Sequence, residues 1–519
     1  MLRVPVSLPI DGLYRATGRS VLRLLAALAC ALEVAGCAVG PDFTPPAAPQ
    51  VRLSLVGTKG QSPAYVEGLA IPQRWWELFH CPALNAVVAR AIAANPDLAA
   101  ARAALRMADA NLAAARGGLF PQVEASAGAS RQRPSAAQAG PAGSTTPYSV
   151  SSGQLSVSYA LDVFGGGRRR VESAAAQAEA QYFEVEAAYL TLTSKIALAA
   201  ITEASLRDQI RAAGTSVSVG RDVLQILKRQ TDLSEATRVD VSAQDVALSQ
   251  FEQSLQSLKK RLALGRNQLA AFGGGLAGEG LSEEFEFSCL RLPRELPLAL
   301  PSQIVRNRPD VRAAEAHVHA ATAEVGVALA NRLPQFSITA SGGVNAVAAA
   351  LAASPAALFW SLAGSASQVL FDGMTLAEKQ RAAEAGLDRA VALYRGTVVS
   401  AFQNVADVLQ GMEADRKALR VTQRGLAAAK VNLDLTRKLL AQRLANSVQV
   451  LNAQQLFAQA SAAHAEAKAA LHGDVVMLFQ ALGGGWADAT GANAEWTAHV
   501  SSEPERAARA QSSAAAMAQ

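Results

Sequence analysis

Four segments of the chain alternate polar and apolar residues with a period of two. In Gln122 to Arg131, Gln122, Glu124 and Ser126 oppose Val123, Ala125 and Ala127. In Gln154 to Asp162, Gln154, Ser156 and Ser158 oppose Leu155, Val157, Tyr159 and Leu161. A third run sets Gln335, Ser337 and Thr339 against Phe336, Ile338 and Ala340, and a weaker one covers Trp360 to Phe371. Alternation over about ten residues is the pattern of a transmembrane β-strand, apolar toward lipid and polar toward a wet lumen. The stretches 133–147, rich in Pro and Ser, and 344–357, rich in Ala, are expected to join each pair as loops. Tyr148, Phe336, Phe359 and Trp360 are candidates for the aromatic girdles. A soluble sandwich would need more β sequence than the chain holds. Four strands do not close a barrel, for which about eight are needed, and an open sheet edge is not tolerated in lipid. Several copies must share one barrel.

Between the strand pairs the pattern changes to that of very long helices. Gly167 to about Gln230 and Val239 to Phe272 contain no proline, and about Leu376 to Leu440 and Val450 to Leu482 repeat this. At 1.5 Å per residue the longest reach roughly 95 Å. Leu248, Phe251, Leu255, Leu258, Leu262, Leu269 and Phe272 follow a 3-4 spacing with Gly265 in the missed slot, and Met412, Leu419, Leu426, Leu433 and Leu440 step by seven. A 3.5-residue period gives left-handed coiled-coil packing. Abundant Ala elsewhere lets neighbouring helices approach on more than one side, as a wall of helices requires. A soluble coiled coil is the plainer alternative, and the strands count against it.

The elements recur. Asn95-Pro96-Asp97-Leu98 returns as Arg308-Pro309-Asp310-Val311 and Pro121-Gln122 as Pro334-Gln335, both 213 residues on. Ala271-Phe272-Gly273-Gly274-Gly275 returns as Ala481-Leu482-Gly483-Gly484-Gly485, 210 residues on. Two such halves are too few and too long for a solenoid. A pseudo-two-fold within one chain suits an object with ring symmetry, such as a channel wall.

Composition agrees with this reading. The chain has 519 residues, 50% hydrophobic and 5% aromatic, with 18% charged residues and a net charge of +5. There is no basic stripe with stacking aromatics, so no nucleic-acid partner is expected. No run of eighteen or more apolar residues occurs, so no membrane-spanning helix is expected. Arg15, Arg19 and Arg23 precede the short apolar stretch Leu24 to Leu32, the pattern of a secretory leader. Val34-Ala35-Gly36-Cys37 then looks like a bacterial lipobox whose cysteine becomes lipidated, although Glu33 and the long leader before Arg15 are atypical. An ordinary signal with a chance cysteine is the alternative. Acyl chains anchor without spanning. Ala38 after the cysteine favours transfer to the outer membrane. Of the remaining cysteines, Cys81 and Cys289 read as two buried free thiols, with a disulfide permitted by the periplasm. The expected divisions are 1–36 signal peptide, 37–70 lipid-anchored extended strap, 71–275 first repeat, 276–300 linker, 301–486 second repeat and 487–519 disordered tail.

Enzyme readings find no support. The glycine triplets at 165–167, 273–275 and 483–485 lack the lysine and hydroxyl of a phosphate loop, and two of them end helices. His317 and His319 stand two apart on an expected helix and do not share a face. No catalytic residue, metal or cofactor is expected.

The residues together resemble a known family. Cys37-Ala38-Val39-Gly40-Pro41-Asp42-Phe43-Thr44-Pro45, Trp75-Trp76-Glu77-Leu78-Phe79-His80-Cys81-Pro82-Ala83-Leu84 and Tyr159-Ala160-Leu161-Asp162-Val163-Phe164-Gly165 fit its pattern. So do Arg308-Pro309-Asp310 with Ala314-Glu315, and Ala481 to Trp486. Over about residues 37 to 486 the chain resembles the TolC/OprM type of outer-membrane efflux proteins, in the lipoprotein, NodT-like branch. The resemblance implies a mainly α fold with membrane β. It implies a homotrimer whose 12-stranded β-barrel continues into a 12-helix α-barrel across the periplasm, with four strands per chain. The implied partners are a periplasmic membrane-fusion adaptor, an inner-membrane resistance-nodulation-division pump and outer-membrane lipid. The implied function is an exit duct for drugs, solvents or other small toxic compounds; a duct for type I protein secretion is the alternative. The tip turns are expected near Asp232 to Val241 and Leu444 to Leu451, where relatives usually place a glycine and this chain has none. Relatives commonly carry acids after the second turn. Here Gln449 and Asn452 stand there, while Asp240 after the first turn keeps its acid and is expected to bond to a neighbouring helix. Gln449, Asn452 and Asp240 are therefore the candidate periplasmic gate, closed by amides rather than a carboxylate ring. The plainer alternative is that Gln449 and Asn452 cap or solvate the helix start.

Overall fold

The structure, a computed structural model, describes residues 38–46, 64–67, 69, 71–133, 135, 146–276, 282–298, 307–346 and 354–485. The leader, Cys37, most of the loops at 133–147 and 344–357, and the tail lie outside these residues. Chain order is β1 (Ala64–Glu67), α1 (Pro82–Ala94), α2 (Pro96–Gly117), β2 (Gln122–Gln132), β3 (Tyr148–Leu161), α3 (Gly166–Asp232) and α4 (Arg238–Phe272). The second half adds β4 (Glu295–Leu298), α5 (Pro309–Ala330), β5 (Gln335–Ala346), β6 (Leu358–Ser367), α6 (Thr375–Ala441) and α7 (Ser447–Ala481). The duplication is metrical. Helices α2 and α5 both have 22 residues, α3 and α6 both 67, and α4 and α7 both 35.

The described residues form two compact units, one within Met1–Pro45, Met107–Ala178 and Ala316–Ala392, the other within Pro46–Arg106, Glu179–Glu315 and Leu393–Gln519. The first holds a four-stranded antiparallel sheet in the order β2-β3-β5-β6. Opposed residues of an antiparallel pair share a face, so the register sorts the side chains. Val123, Val157, Ala340 and Leu362 form one row, and Leu155, Gly342 and Trp360 another. That face is apolar and open, with Leu155 53%, Leu362 68% and Trp360 83% exposed. The other face carries Gln122, Ser158, Thr339, Ser341 and Ser361. Trp360 and Phe336 lie on the apolar face. Tyr148 and Phe359 pair with Gln132 and Gly343 and lie on the polar one, so they are not lipid-facing girdle residues. The fourth strand ends at Ser367, short of the expected Phe371, and β5 extends to Ala346, into the stretch expected as loop. After each pair of strands an aspartate starts the long helix. Asp162 accepts from Gly167 N at 2.8 Å and Arg168 N at 2.9 Å, and Asp372 accepts from Leu376 N at 2.8 Å.

The second unit is helical. On α4, Leu248 and Leu269 are buried and Phe251, Leu255, Leu258, Leu262 and Phe272 are half-buried, whereas Val246 and Leu264, off the seam, are exposed. On α6, Met412, Leu433 and Leu440 are buried, with Leu419 and Leu426 between them half-buried. One window of α3 is long and apolar enough to pass for a membrane helix, with mean hydropathy 1.2, yet 44% of it is buried inside the single chain. Its apolar character is that of a helix packed on several sides. Each α4/α7 helix ends on a glycine with positive φ pressed against the chain ahead of a proline. A Cβ on Gly274 would lie 2.4 Å from Ala94 O, and one on Gly483 2.3 Å from Asn307 O, so both positions need glycine.

Two features lay outside the sequence expectations. Strands β1 and β4 pair in parallel, Ala64 with Glu295 through Glu67 with Leu298; four residues are too few to show a period. Cys81 and Cys289 are joined as a disulfide with Cα atoms 5.1 Å apart, rather than standing as free thiols. The bond closes a segment that both halves hold: Arg291 N donates to Phe79 O at 3.0 Å, Arg266 to Glu283 O at 3.1 Å, and His472 Nε2 lies 3.2 Å from Leu290 O. The buried Glu203 sits between Arg207 and Arg266, each at 2.8 Å. A cross-link across 208 residues restricts the unfolded chain and stabilises by about 2–4 kcal/mol. Reductant is therefore expected to lower the melting temperature of the wild type. It is expected to leave the melting of a Cys81→Ser, Cys289→Ser double variant unchanged. Fluorescence of the buried Trp75 and Trp76 is the readout, and equal melting of wild type with and without reductant would refute the stabilising role.

Candidate gate and anchor sites

Cys37, the candidate lipidation residue, lies outside the described residues, but the strap that follows it is held in place. Val39 N donates to Phe164 O at 3.0 Å. Gly40 crosses Gly326 of α5 so closely that a Cβ on Gly40 would lie 2.5 Å from Gly326 Cα. Arg169, on the first turn of α3 and only 4% exposed, serves the strap directly. It donates to Val39 O at 3.2 Å, Gly40 O at 3.4 Å and Asp42 Oδ1 at 2.6 Å, and to Glu172 at 2.7 Å on its own helix. A buried guanidinium is costly unless its donors are satisfied, and here the strap satisfies three of them. Phe43 stacks on His319 with ring centroids 4.4 Å apart, and His319 Nε2 lies 3.0 Å from Glu172 Oε1. Sequence reasoning considered His319 only as a ligand or catalyst and missed Arg169. The only signal for it was an arginine triplet beside the glycines that start α3.

The tip turns are 233–237 and 442–446, the second lying earlier than the expected Leu444 to Leu451. In place of glycine, Ser234 and Arg443 take the left-handed conformation, with φ 61° and 65°. They are equivalent positions in the two halves, so both turns share one geometry at a modest strain. Each following helix starts with a capping box. Thr237 and Asp240 form it on α4, and Asn446 and Gln449 on α7. Asp240 and Gln449 thus occupy the same position of the repeat. Gln449 Oε1 accepts from Asn446 N at 3.0 Å, so its side chain caps the helix. Asn452 is exposed. Asp240 Oδ2 accepts from Thr237 N at 3.0 Å and Oδ1 from Ser447 Oγ of α7 at 2.6 Å. These bonds, that from Ser447 first, hold the Asp240 carboxyl below its ordinary pKa. Arg443 and Glu235 pair across the two turns at 2.8 Å. The groove between them measures about 480 Å³ and is lined by Leu227, Glu235, Asp240, Leu440, Arg443 and Ser447.

Farther along the second hairpin, Asp474 of α7 packs against Gly411 of α6, whose Cβ, if present, would lie 3.6 Å from Asp474 Oδ1. Burial first, and then the charge and hydrogen bond of Asp415 on α6, together raise the Asp474 pKa to about 7. Nearby, Tyr65 donates to Met412 Sδ at 3.1 Å and Arg416 lies over the Tyr65 ring at 5.1 Å. The folded state binds the Asp474 proton more tightly than the unfolded state, whose value is near 3.8. The pair's stabilising share is therefore fully present below about pH 4 and is lost as pH rises to about 7. The melting temperature is expected to fall between pH 5 and 7.5 by more in wild type than in Asp474→Asn, measured in parallel titrations. Parallel slopes in the two proteins would exclude the shared proton.

A sequence profile described as "Outer membrane efflux protein" matches residues 87–275 and 300–484. The "Probable efflux pump outer membrane protein TtgC" of Pseudomonas putida is 29% identical over 485 residues, covering 90% of this chain and 96% of that one. "Nodulation protein T" of Rhizobium leguminosarum bv. trifolii is 25% identical over 443 residues, covering 84% and 92%. Among solved structures, the outer-membrane channel OprN superposes with a TM-score of 0.80 at 26% identity, covering 87% of this chain and 100% of that one. Both halves match the profile and their elements superpose on a solved channel: the chain belongs to the outer membrane efflux protein family.

Proposed function

We propose that three copies of this chain form an exit duct through the outer membrane. In this reading the duct receives drugs, solvents or other small toxic compounds from an inner-membrane resistance-nodulation-division pump through a periplasmic adaptor. The observation that carries the reading is the four-stranded sheet, apolar on one face and polar on the other, with β2 and β6 at its edges. In lipid such edges must be paired; three copies give twelve strands and close the ring. TtgC is described as part of an efflux pump, which favours small-molecule cargo. Native mass spectrometry of detergent-extracted protein should give three copies, and planar bilayers should show conductance. A stable monomer that conducts fully would overturn the reading.

Cys37 is the proposed anchor. Cys37→Ser should abolish incorporation of labelled fatty acid while partial transport persists, because the barrel itself spans the membrane. A different mature N-terminus would refute the anchor. The proposed gate is the pair of tip turns, with Asp240–Ser447 and Glu235–Arg443 as ties between hairpins. The Gln449 side chain is engaged in its cap, so Asn452 is the amide left to face the axis. Asn452→Asp should raise cation selectivity and block by divalent cations more than Gln449→Asp does, since an aspartate at position 449 would simply cap as Asp240 does. Equal conductance in both variants and wild type would place the gate elsewhere.

A further inference from the structure

The polar face of the sheet bears a single charge. Following the register, Glu124 lies opposite Ser156, Ser156 opposite Ser341, and Ser341 opposite Ser361. These four residues form one row across the sheet. The adjoining row toward the helices is Gln122, Ser158, Thr339 and Ala363, and the row on the other side is Ser126, Gln154, Gly343 and Phe359, all uncharged. Strands β3, β5 and β6 contain no charged residue. The other charge on β2, Arg131, has the opposite parity and sits beside the loop end, opposite Ser149. Two hydroxyls of the row are paired with each other, Ser341 Oγ to Ser361 Oγ at 2.7 Å, and Ser337 Oγ to Ser365 Oγ repeats this on the same face at 2.8 Å. Glu124 is exposed.

We infer that Glu124 sets the charge preference of the barrel lumen, favouring organic and inorganic cations over anions. The inference rests on the proposed trimeric duct, in which the three-fold axis turns one carboxylate per chain into a ring. Hydroxyls supply dipoles but no fixed charge, so nothing on this face of the strands opposes the ring. A like-charged ring in a low-dielectric wall concentrates counter-ions, and at physiological salt its field reaches about 8 Å into the lumen. In the proposed gate the side chain left to face the axis, Asn452, is uncharged, and Glu235 is paired with Arg443. Charge selection is thereby placed at the membrane end of the duct. An anionic solute meets its barrier on leaving through the barrel, and a cationic one does not.

The test uses a reporter thiol on the same face, Ser126→Cys, in full-length protein in intact outer membranes. A cationic and an anionic methanethiosulfonate of similar size are added from outside, and their rates are compared with those on a small free thiol. With Glu124 in place, the cationic reagent is expected to be favoured by roughly tenfold, as a lumen potential of a few kT implies. Glu124→Gln should return the ratio to that of the free thiol, and Glu124→Lys should invert it. The same ratio in Glu124 and Glu124→Gln proteins overturns the inference. If the inserted protein reacts with neither reagent, this face does not line a lumen and the duct reading itself falls.

Discussion

The sheet leaves two rows of backbone donors and acceptors along Gln122–Gln132 and Leu358–Ser367. Each such group left unpaired in hydrocarbon costs several kcal/mol. In the proposed duct that constraint organises the rest of the molecule, because a chain that finishes its sheet with other copies cannot insert before it assembles. The internal duplication makes the completion regular. Within the chain, the last strand of the first half, β3, pairs with the first strand of the second half, β5. A contact from β6 to the β2 of another copy is the same kind of junction, last strand to first. A ring of such chains is a ring of half-chains meeting in one way throughout.

Equal helix lengths follow from the same requirement. With 67 residues in both α3 and α6 and 35 in both α4 and α7, each half contributes a hairpin of the same reach. Unequal hairpins would leave part of a wall without neighbours. Gly274 and Gly483 close the two hairpins at equivalent points, against Ala94 O and Asn307 O, at distances no side chain tolerates. The identity of the two halves is thus held by backbone contacts more than by side-chain similarity, which explains why so little sequence is shared between them.

The long helices were legible to within a few residues because absence of proline and a 3.5-residue period both extend over many turns. The strands were legible because alternation persisted over about ten residues. Short-range features were not. β1 and β4 have four residues each, and their pairing joins segments far apart in sequence. The Cys81–Cys289 bond depends on the inter-repeat segment lying beside the turn that starts α1, which no spacing reveals. At the tips, the missing glycines were visible, but not that Ser234 and Arg443 would take the left-handed conformation in their place. Gln449 was legible as an amide where an acid is usual; its role as a cap became visible only from the hydrogen bond to Asn446 N. The strap's contacts with Arg169 escaped because Arg169 meets residues about 130 positions away.

At the tips, the polar ties and the apolar packing have different tasks. Arg443 is 64% exposed and Glu235 33% exposed, and a pair so open to water contributes only about 0–1 kcal/mol. The Asp240–Ser447 bond is likewise partly exposed. Directly behind them, Val219, Val223 and Leu227 of α3 are packed against Leu433 and Leu440 of α6 and Val450 of α7, all at most 5% exposed. Removing one such side chain from contact costs about 1.5–3 kcal/mol, more than a surface tie. The polar contacts are directional, and therefore fix which turn of one hairpin faces which turn of the other. The apolar cluster resists their separation. A movement that slides the hairpins while keeping this cluster covered meets a far smaller barrier than one that exposes it. In the proposed gate, opening at the tip is therefore governed by how many of these six side chains must meet water, with the ties setting the register from which the movement begins.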